Sequence, residues 1–558
     1  MNKRQILFGI ILVNITVPMY AQVEKADSLL ERTIVVENIY NPEIMNANKI
    51  NTLPTIEEPQ QPKRQIEYAT ESRPTENFKF FPMNNYGETP ISKEQKRGYF
   101  RIGYGTNNNI DSRLNYRFNW GKKDLMNASL SFNGMDGTIK LPEKINEIDK
   151  WDSRAFRTHA MIDWKHKFDM LTLGVKANGE NQVFNYLNFE ESAGNRHQHN
   201  LMGDLSVTLD NYRSKEKINF EIGTGVLYAK QKYAFNYSVS PNPYTELIIR
   251  SHAHASGRIN NHSTIHIKAQ MDNMFITPGK GADKITNTVL QLNPYFTTNR
   301  EDWNIRIGVH ADPIFGDNNN FTIAPDLYSE YILFKGYAIY IKASGGRIMN
   351  DFRTTNQFAP YAEFPIYNIE NGYSIPEHGY SQLDGQVGFK ATIMNEFQLQ
   401  LYGGYNMLKN QLFSTEQEGF DYRKYNLLMQ DDANIYYAGA TIQYSWKDIF
   451  FTRAEFEWSQ WKSDLLDKYT AIVPELSLRW IAGLHPLPKL NIEVQYHYEQ
   501  RHKDIANINN LCTSISYDLK PHLKVYINGD NLLNRKFYYD IFHPAQGLNI
   551  MIGAALEF

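Results

Sequence analysis

The stretch LNIEVQYHYEQ, residues 490–500, changes character at every position. Leu490, Ile492, Val494, Tyr496 and Tyr498 form one set, and Asn491, Glu493, Gln495, His497 and Glu499 the other. Successive side chains of a strand point to opposite faces, so this is a strand with one apolar and one polar face. RLNYRFNW sets Leu114, Tyr116, Phe118 and Trp120 against Arg113, Asn115, Arg117 and Asn119. WNIRIGVHA, STIHIKAQM and HLKVYINGD repeat the pattern. A six-residue sandwich strand needs about three inward positions, whereas these runs reach about ten residues, enough to cross a bilayer at a tilt. Mean hydropathy is −0.52, and no stretch beyond the start has the run of about eighteen apolar residues that a membrane helix needs. A transmembrane barrel escapes that exclusion, because half of every strand faces a polar lumen.

The connections sharpen this expectation. GKKD, HKFDM, NRED, LFKG, IMNE, SWKD and DLKP are tight links. Between them lie longer polar links at 134–152, 181–195, 231–243, 274–284, 345–378, 408–431 and 534–545. Short turns alternating with long loops are the mark of an outer-membrane barrel. From residue 97 to residue 558 the pattern predicts an all-β antiparallel transmembrane barrel of about 22 strands, with 20–22 as the range. An even number places both barrel termini on the periplasmic side. The last strand, GLNIMIGAALEF, must pair with the first, since an open edge in lipid leaves backbone groups unsatisfied. Ile550, Ile552, Leu556 and Phe558 are the lipid face of that closing strand. A terminal aromatic of this kind is what the barrel assembly machinery of such proteins reads.

The chain starts with a short basic stretch, then the apolar QILFGIILVNITV, then Ala21. Residues 1–21 therefore read as a secretory signal peptide, too short in its apolar part to be a membrane span. The single cysteine, Cys512, makes no disulfide framework and lies on the polar side of its strand. A net charge of −3 gives no bulk electrostatic case for nucleic acid.

INGDNLLNRKFYYDIF, followed by GLNIMIGAALEF, resembles the end of a TonB-dependent receptor. The matching residues are Asn531, Leu532, Leu533 and Asn534, then Arg535, Lys536, Phe537 and Tyr538. The resemblance implies a barrel of similar strand number, surface binding or uptake of a nutrient, and partnership with TonB or with a surface lipoprotein. It covers residues 97–558 in architecture and the last forty or so in motif. It fails at the other end, where the family carries a globular plug. Residues 22–96 are rich in Pro, Glu, Gln and Asn, with Gly87 as the only glycine, and read as an extended or disordered segment on the periplasmic side or in the lumen. Within them RTIVVEN is similar to the TonB box, with Thr33, Ile34, Val35 and Val36 at the matching positions. A sticky strand is the plainer reading of the same residues.

A barrel of about 22 strands encloses a lumen that needs a filler. Residues 22–96 folded back, inward-folded loops or a separate protein could each supply it. Val36, Ile39, Ile44, Ile50 and Leu53 could line a wall, which favours the first.

RSHAHASGR puts Arg250, His252, His254 and Arg258 on the polar parity of one strand, and the next adds His266 and Lys268. These are the candidate lumen contacts. Two histidines two residues apart could hold a metal, but no third ligand is placed, so a basic lumen ladder is the reading taken and no metal or cofactor is assigned. His197 and His199 have the opposite parity and read as rim. No nucleophile elbow, phosphate loop or zinc-protease motif is present, and no catalytic residue is assigned. The reading is a non-enzymatic outer-membrane uptake barrel in contact with outer-membrane lipid. The alternatives are a structural or assembly barrel engaging periplasmic partners and, last, an outer-membrane hydrolase.

Overall fold

The structure is a computed structural model that describes residues 96–558, apart from 146–147, 188–196, 213–216, 234–243, 280–282, 318, 363–365, 369–371, 394–395, 419–423 and 504. The signal segment 1–21, the segment 22–95 and its Thr33–Val36 box lie outside the described residues.

Twenty-two strands form one closed antiparallel barrel. They are β1 Gly98–Gly105, β2 Ile110–Phe118, β3 Asp124–Ile145, β4 Ile148–Lys167, β5 Thr172–Asn185, β6 His197–Asp210, β7 Ile218–Gln231 and β8 Tyr244–Arg258. Next come β9 Ser263–Thr277, β10 Ile285–Asn299, β11 Trp303–Gly316, β12 Asn320–Phe334, β13 Tyr337–Ile348, β14 Gly379–Ile393 and β15 Phe397–Glu418. The last seven are β16 Lys424–Trp446, β17 Phe450–Lys462, β18 Pro474–Leu487, β19 Leu490–Arg501, β20 Ile508–Lys520, β21 Leu523–Asp530 and β22 Asn549–Glu557. Each pairs with the next, and β22 pairs with β1 from Tyr99↔Glu557 to Gly105↔Met551. Closure leaves no edge to satisfy in lipid.

The parity expected from sequence holds around the wall. Leu114, Ile307, Ile341 and Ile527 face outward and are exposed. Their neighbours in sequence, Arg113, Arg306, Lys342 and Asn528, face the lumen. Trp120, Trp303 and Trp446 are exposed at the short-turn end, an aromatic girdle at one membrane interface. On β19, Val494 faces outward and Gln495 inward. Val494→Arg is therefore expected to cost roughly 2–4 kcal/mol near mid-bilayer and Gln495→Arg much less. Folded yield, read by migration of unheated samples on gels, checks this; equal losses would reverse the parity.

The long links differ from expectation. Much of 134–152 and 408–431 is strand: β3 and β4 pair from Gly134↔Phe156 to Lys140↔Lys150, and β15 and β16 pair out to Glu418↔Lys424. Beyond the hydrocarbon the outer face need not be apolar, so the alternation that betrays a strand fades while backbone pairing continues. For the same reason many strands exceed about ten residues, the minimum for crossing.

The lumen holds parts of the barrel's own connections. Of the three fillers weighed, inward-folded loops are present. The β13–β14 connection carries a short helix, α1 Phe352–Phe358, and the β17–β18 connection carries α2 Asp464–Lys468. Both connections, and the one between β21 and β22, pack against inward-facing wall residues.

Candidate functional site: the lumen wall and its roof

Alternation places the candidate residues of β8 and β9 on the lumen face, and register decides what they meet. Gly223, His252 and Gln270 lie level, as do Glu221, His254 and Lys268. Arg250 donates to both carboxylate oxygens of Asp272, at 2.7 and 3.2 Å. His252 Nε2 is 3.4 Å from Glu221. His254 and His266 lie with Nε2 3.3 Å from Nδ1. Tyr212 OH is 2.9 Å from His254 Nδ1, and His266 Nε2 is 3.2 Å from Thr297 Oγ1. One consistent assignment has Tyr212 donating to His254, His254 to His266 and His266 to Thr297. His266 also stacks on Tyr295, with centroids 4.5 Å apart. The Arg306 guanidinium lies 3.9 Å over the same ring and donates to Asp326 at 2.9 Å. Lys268 Nζ is 5.5 Å from that ring. Arg258 keeps the inward parity but sits exposed at the strand end. His197 and His199 fall on the outward parity near the rim, as expected.

Tyr295, Arg306, Asp326 and Tyr212 were not singled out in the sequence. Tyr295, Arg306 and Asp326 are on lumen parity and Tyr212 lies in the turn after β6, and only the register of neighbouring strands brings them to the histidines. The same pairing continues around the wall. Lys342 meets Asp384 at 2.9 Å, and Lys390 meets Glu330 at 2.6 Å. Arg250, Arg306, Lys342 and Lys390 are each matched by a carboxylate, whereas Lys268 lies beside the Tyr295 ring. Among the described residues no group of three His, Cys, Asp or Glu is placed to hold a metal.

The closing strand behaves as its sequence demands. Ile550, Ile552, Leu556 and Phe558 point outward and are exposed. Phe558 C=O accepts from Arg97 N–H at 2.8 Å and Gly98 N–H at 2.6 Å, and Phe558 N–H donates to Gly98 at 2.9 Å. Its ring covers Gly98, where any β-carbon would sit 2.3 Å from a ring carbon. Deleting Phe558 removes these closing bonds and the ring contact together, and several-fold less heat-modifiable barrel is expected. Unchanged yield would show that closure does not depend on it.

The Asn531–Asn534 motif has a physical task. Both asparagines are in the left-handed region, φ 49° and 48°, which asparagine tolerates better than most residues. Asn531 Oδ1 accepts from Arg535 N–H at 2.9 Å, and its Nδ2 donates to Gln546 C=O at 2.8 Å. The motif thus ties the neck of the β21–β22 connection and turns it into the lumen mouth. There Asp540 accepts from Ser414 at 3.0 Å, from Asn426 at 2.8 Å, and from the backbone of Ile541 at 2.9 Å and Tyr361 at 3.1 Å. Burial raises this carboxyl above its ordinary range. His543 lies flat on Tyr361, centroids 4.1 Å apart, with Trp151 edge-on at 5.2 Å. Burial pushes His543 down to about 4.

The β13–β14 connection meets it from the other side. Asp351 caps α1 by accepting from Thr354 N–H at 2.8 Å. Phe352 N–H points at Glu246, 3.2 Å away, and its ring stacks on Tyr244 at 5.3 Å. Arg353 pairs with Asp204 at 2.8 Å. Asn356 donates to Gln182 at 2.9 Å and accepts from Asn200 at 2.9 Å.

No family model matches the chain, and no curated protein matches it. Solved structures do. The FrpB iron transporter from Neisseria meningitidis is similar with a TM-score of 0.66 and 10% identity, over 84% of this chain and 82% of that one. The ferric enterobactin receptor PfeA from Pseudomonas aeruginosa gives 0.64 and 9%, over 84% and 81%. The copper transporter OprC gives 0.60 and 10%, over 83% and 80%. At such identity the likeness is one of fold, a closed outer-membrane-type barrel shared with these transporters and this receptor.

Proposed function

We propose that the chain is an outer-membrane uptake receptor. It takes a nutrient at the long-connection end, facing outward from the cell, and releases it to the periplasm. The observation that carries this is a closed 22-stranded barrel into whose mouth three of its own connections pack. A passive pore of this width needs an open mouth, whereas a receptor needs a closed one that opens on demand. The fold shared with an iron transporter, a copper transporter and a ferric enterobactin receptor supports transport and makes iron and copper complexes the first cargoes to test. The paired charges and imidazoles of the wall offer such a cargo polar contacts without trapping it.

In this reading residues 1–21 direct export and residues 22–96 form a periplasmic or lumenal strap. Thr33, Ile34, Val35 and Val36 pair with TonB by strand addition, which couples an energised partner to the barrel. Both barrel termini face the periplasm, and outer-membrane lipid surrounds the wall. The barrel assembly machinery inserts the chain, and a surface lipoprotein is a further partner to seek. The test is accumulation of labelled iron and copper complexes by cells that depend on this chain. Uptake is expected to stop when 33–36 are replaced by glycines while folded barrel stays at its normal level. Undiminished uptake would remove the box, and no accumulation of any complex by the unaltered chain would remove this choice of cargo.

A further inference from the structure

The β13–β14 connection is an inserted body tied at its neck. The pairing of its flanking strands shifts register between Ser344 and Gly346, resumes, and ends at Ile348↔Gly379, where the connection leaves the barrel. Gly346 has φ +128°, which an L side chain rarely adopts. Arg347, just beyond, is anchored to the wall: its N–H donates to Asp312 at 3.1 Å and Nη2 to Thr322 at 2.8 Å. The two ends of the connection are then tied to each other. Asn350 N–H donates to His378 Nδ1 at 3.2 Å, and Asn350 Nδ2 to Glu377 C=O at 2.6 Å. These bonds bring the two ends of the connection together.

Its inner end crosses the lumen. Phe352, Ala359 and Ala362 share one buried apolar cluster with Tyr244, Ile248 and Met274 on β8 and β9 and with Leu412 and Leu428 on β15 and β16. Those strand pairs lie on separated arcs of a closed barrel, so the cluster is a chord across the mouth. Tyr361 then carries the contact to His543 and Asp540, joining this body to the β21–β22 connection.

We infer that residues 349–362 of the β13–β14 connection are the stopper of this barrel: a latched body that sets the permeation barrier, with the β21–β22 connection as its seat. Glu246, Asp204, Gln182 and Asn200 are the wall side of the latch, and Phe352 and Tyr361 are the packing that holds it in. The neck lies just beyond Ile348, where Asn350 is tied across to Glu377 and His378. This extends the uptake reading by naming the part that moves, but the barrier exists whether or not the cargo assignment is right.

The test is conductance of the full-length chain in planar bilayers in potassium chloride. Unaltered protein is expected to pass little current. Phe352→Ala with Tyr361→Ala removes the packing but leaves every wall strand intact, and at least a ten-fold larger mean conductance is expected, with heat-modifiable migration confirming a folded barrel. Into that double variant, with Cys512→Ser, go Asp204→Cys and Arg353→Cys, bridged by a short bis-maleimide. Bridging should restore the low conductance. Conductance unchanged in the double variant, where protease shows the 349–378 connection released, overturns the inference. A leak that bridging leaves undiminished overturns it too, because the barrier then lies elsewhere. A tight, gated barrel that accumulates no cargo would instead sink the uptake reading and leave the stopper standing.

Discussion

Asp540→Ala is expected to unseat the roof of the lumen. Four donors converge on this one buried carboxylate: Ser414 Oγ, Asn426 Nδ2 and the backbone N–H groups of Tyr361 and Ile541. Ser414 and Asn426 come from neighbouring barrel strands, Tyr361 from the stopper and Ile541 from the seat. A methyl group at residue 540 satisfies none of them. Each orphaned buried donor costs roughly 1–3 kcal/mol, and water entering the gap recovers part of it, so a loss on the order of 3 kcal/mol in docking of the two connections is expected. The wall strands do not depend on Asp540, so the barrel itself should still assemble. Protease should then cut within 531–548 and 349–378 while the heat-modifiable barrel persists. Asp540→Asn keeps one acceptor oxygen and should fall between the two. Equal protease resistance of the alanine variant and the unaltered chain would show that Asp540 does not hold the roof.

The network explains where sequence reading succeeds and stops. Lipid on one side and water on the other impose a period of two on every spanning residue. Val494 and Gln495 could therefore be assigned faces from one stretch, and so could Arg250, His252, His254, His266 and Lys268. Ile550 to Phe558 were legible for the same reason, with the added demand that a membrane sheet must close. Register was not legible. His266 meets Tyr295 only because β9 and β10 pair as they do, and nothing local in either strand says so. The roof was hidden more deeply. Tyr361 and His543 are far apart in the chain, on connections whose polar composition reads as ordinary loop. Their apolar members, Phe352 and Phe537 among them, are too sparse to show any period. Residues 22–96 read as a lumen filler because the segment has apolar residues and no evident task, and all but its last residue lies outside the described residues. The connections had an evident task as loops, and their second one is a property of the closed barrel.

Acid should loosen the same roof through His543. Its imidazole is enclosed by Tyr361 and Trp151, and its Nδ1–H donates to Ile541 C=O at 2.9 Å. Nε2 faces the Leu187 N–H at 3.5 Å, so the neutral ring is the form that fits. A second proton would go to Nε2 and oppose that N–H inside a dry pocket. Burial accordingly depresses this group to about 4, against 6.5 for a free histidine. A depressed histidine binds its proton more readily once the roof has opened. Its contribution is complete above about pH 6.5, falls as pH drops from there to about 4, and amounts to roughly 3 kcal/mol across that window. Asp540 acts in the opposite sense. Its carboxyl is raised by burial, so protonation in the folded state eases its cost as pH falls from its raised value toward the ordinary one. The two effects are separable by substitution. His543→Phe keeps a flat ring on Tyr361 and removes the titration, while Asp540→Asn removes the opposing group. Protease cleavage in 531–548, followed from pH 7.5 to 4, should rise in the unaltered chain, rise more steeply in Asp540→Asn, and fall in His543→Phe, where only the opposing carboxyl still titrates. Acid cleavage that persists undiminished in His543→Phe would place the sensitive group elsewhere in the roof, with His378, also pushed down to about 4 by burial beside Arg347, the next to be replaced.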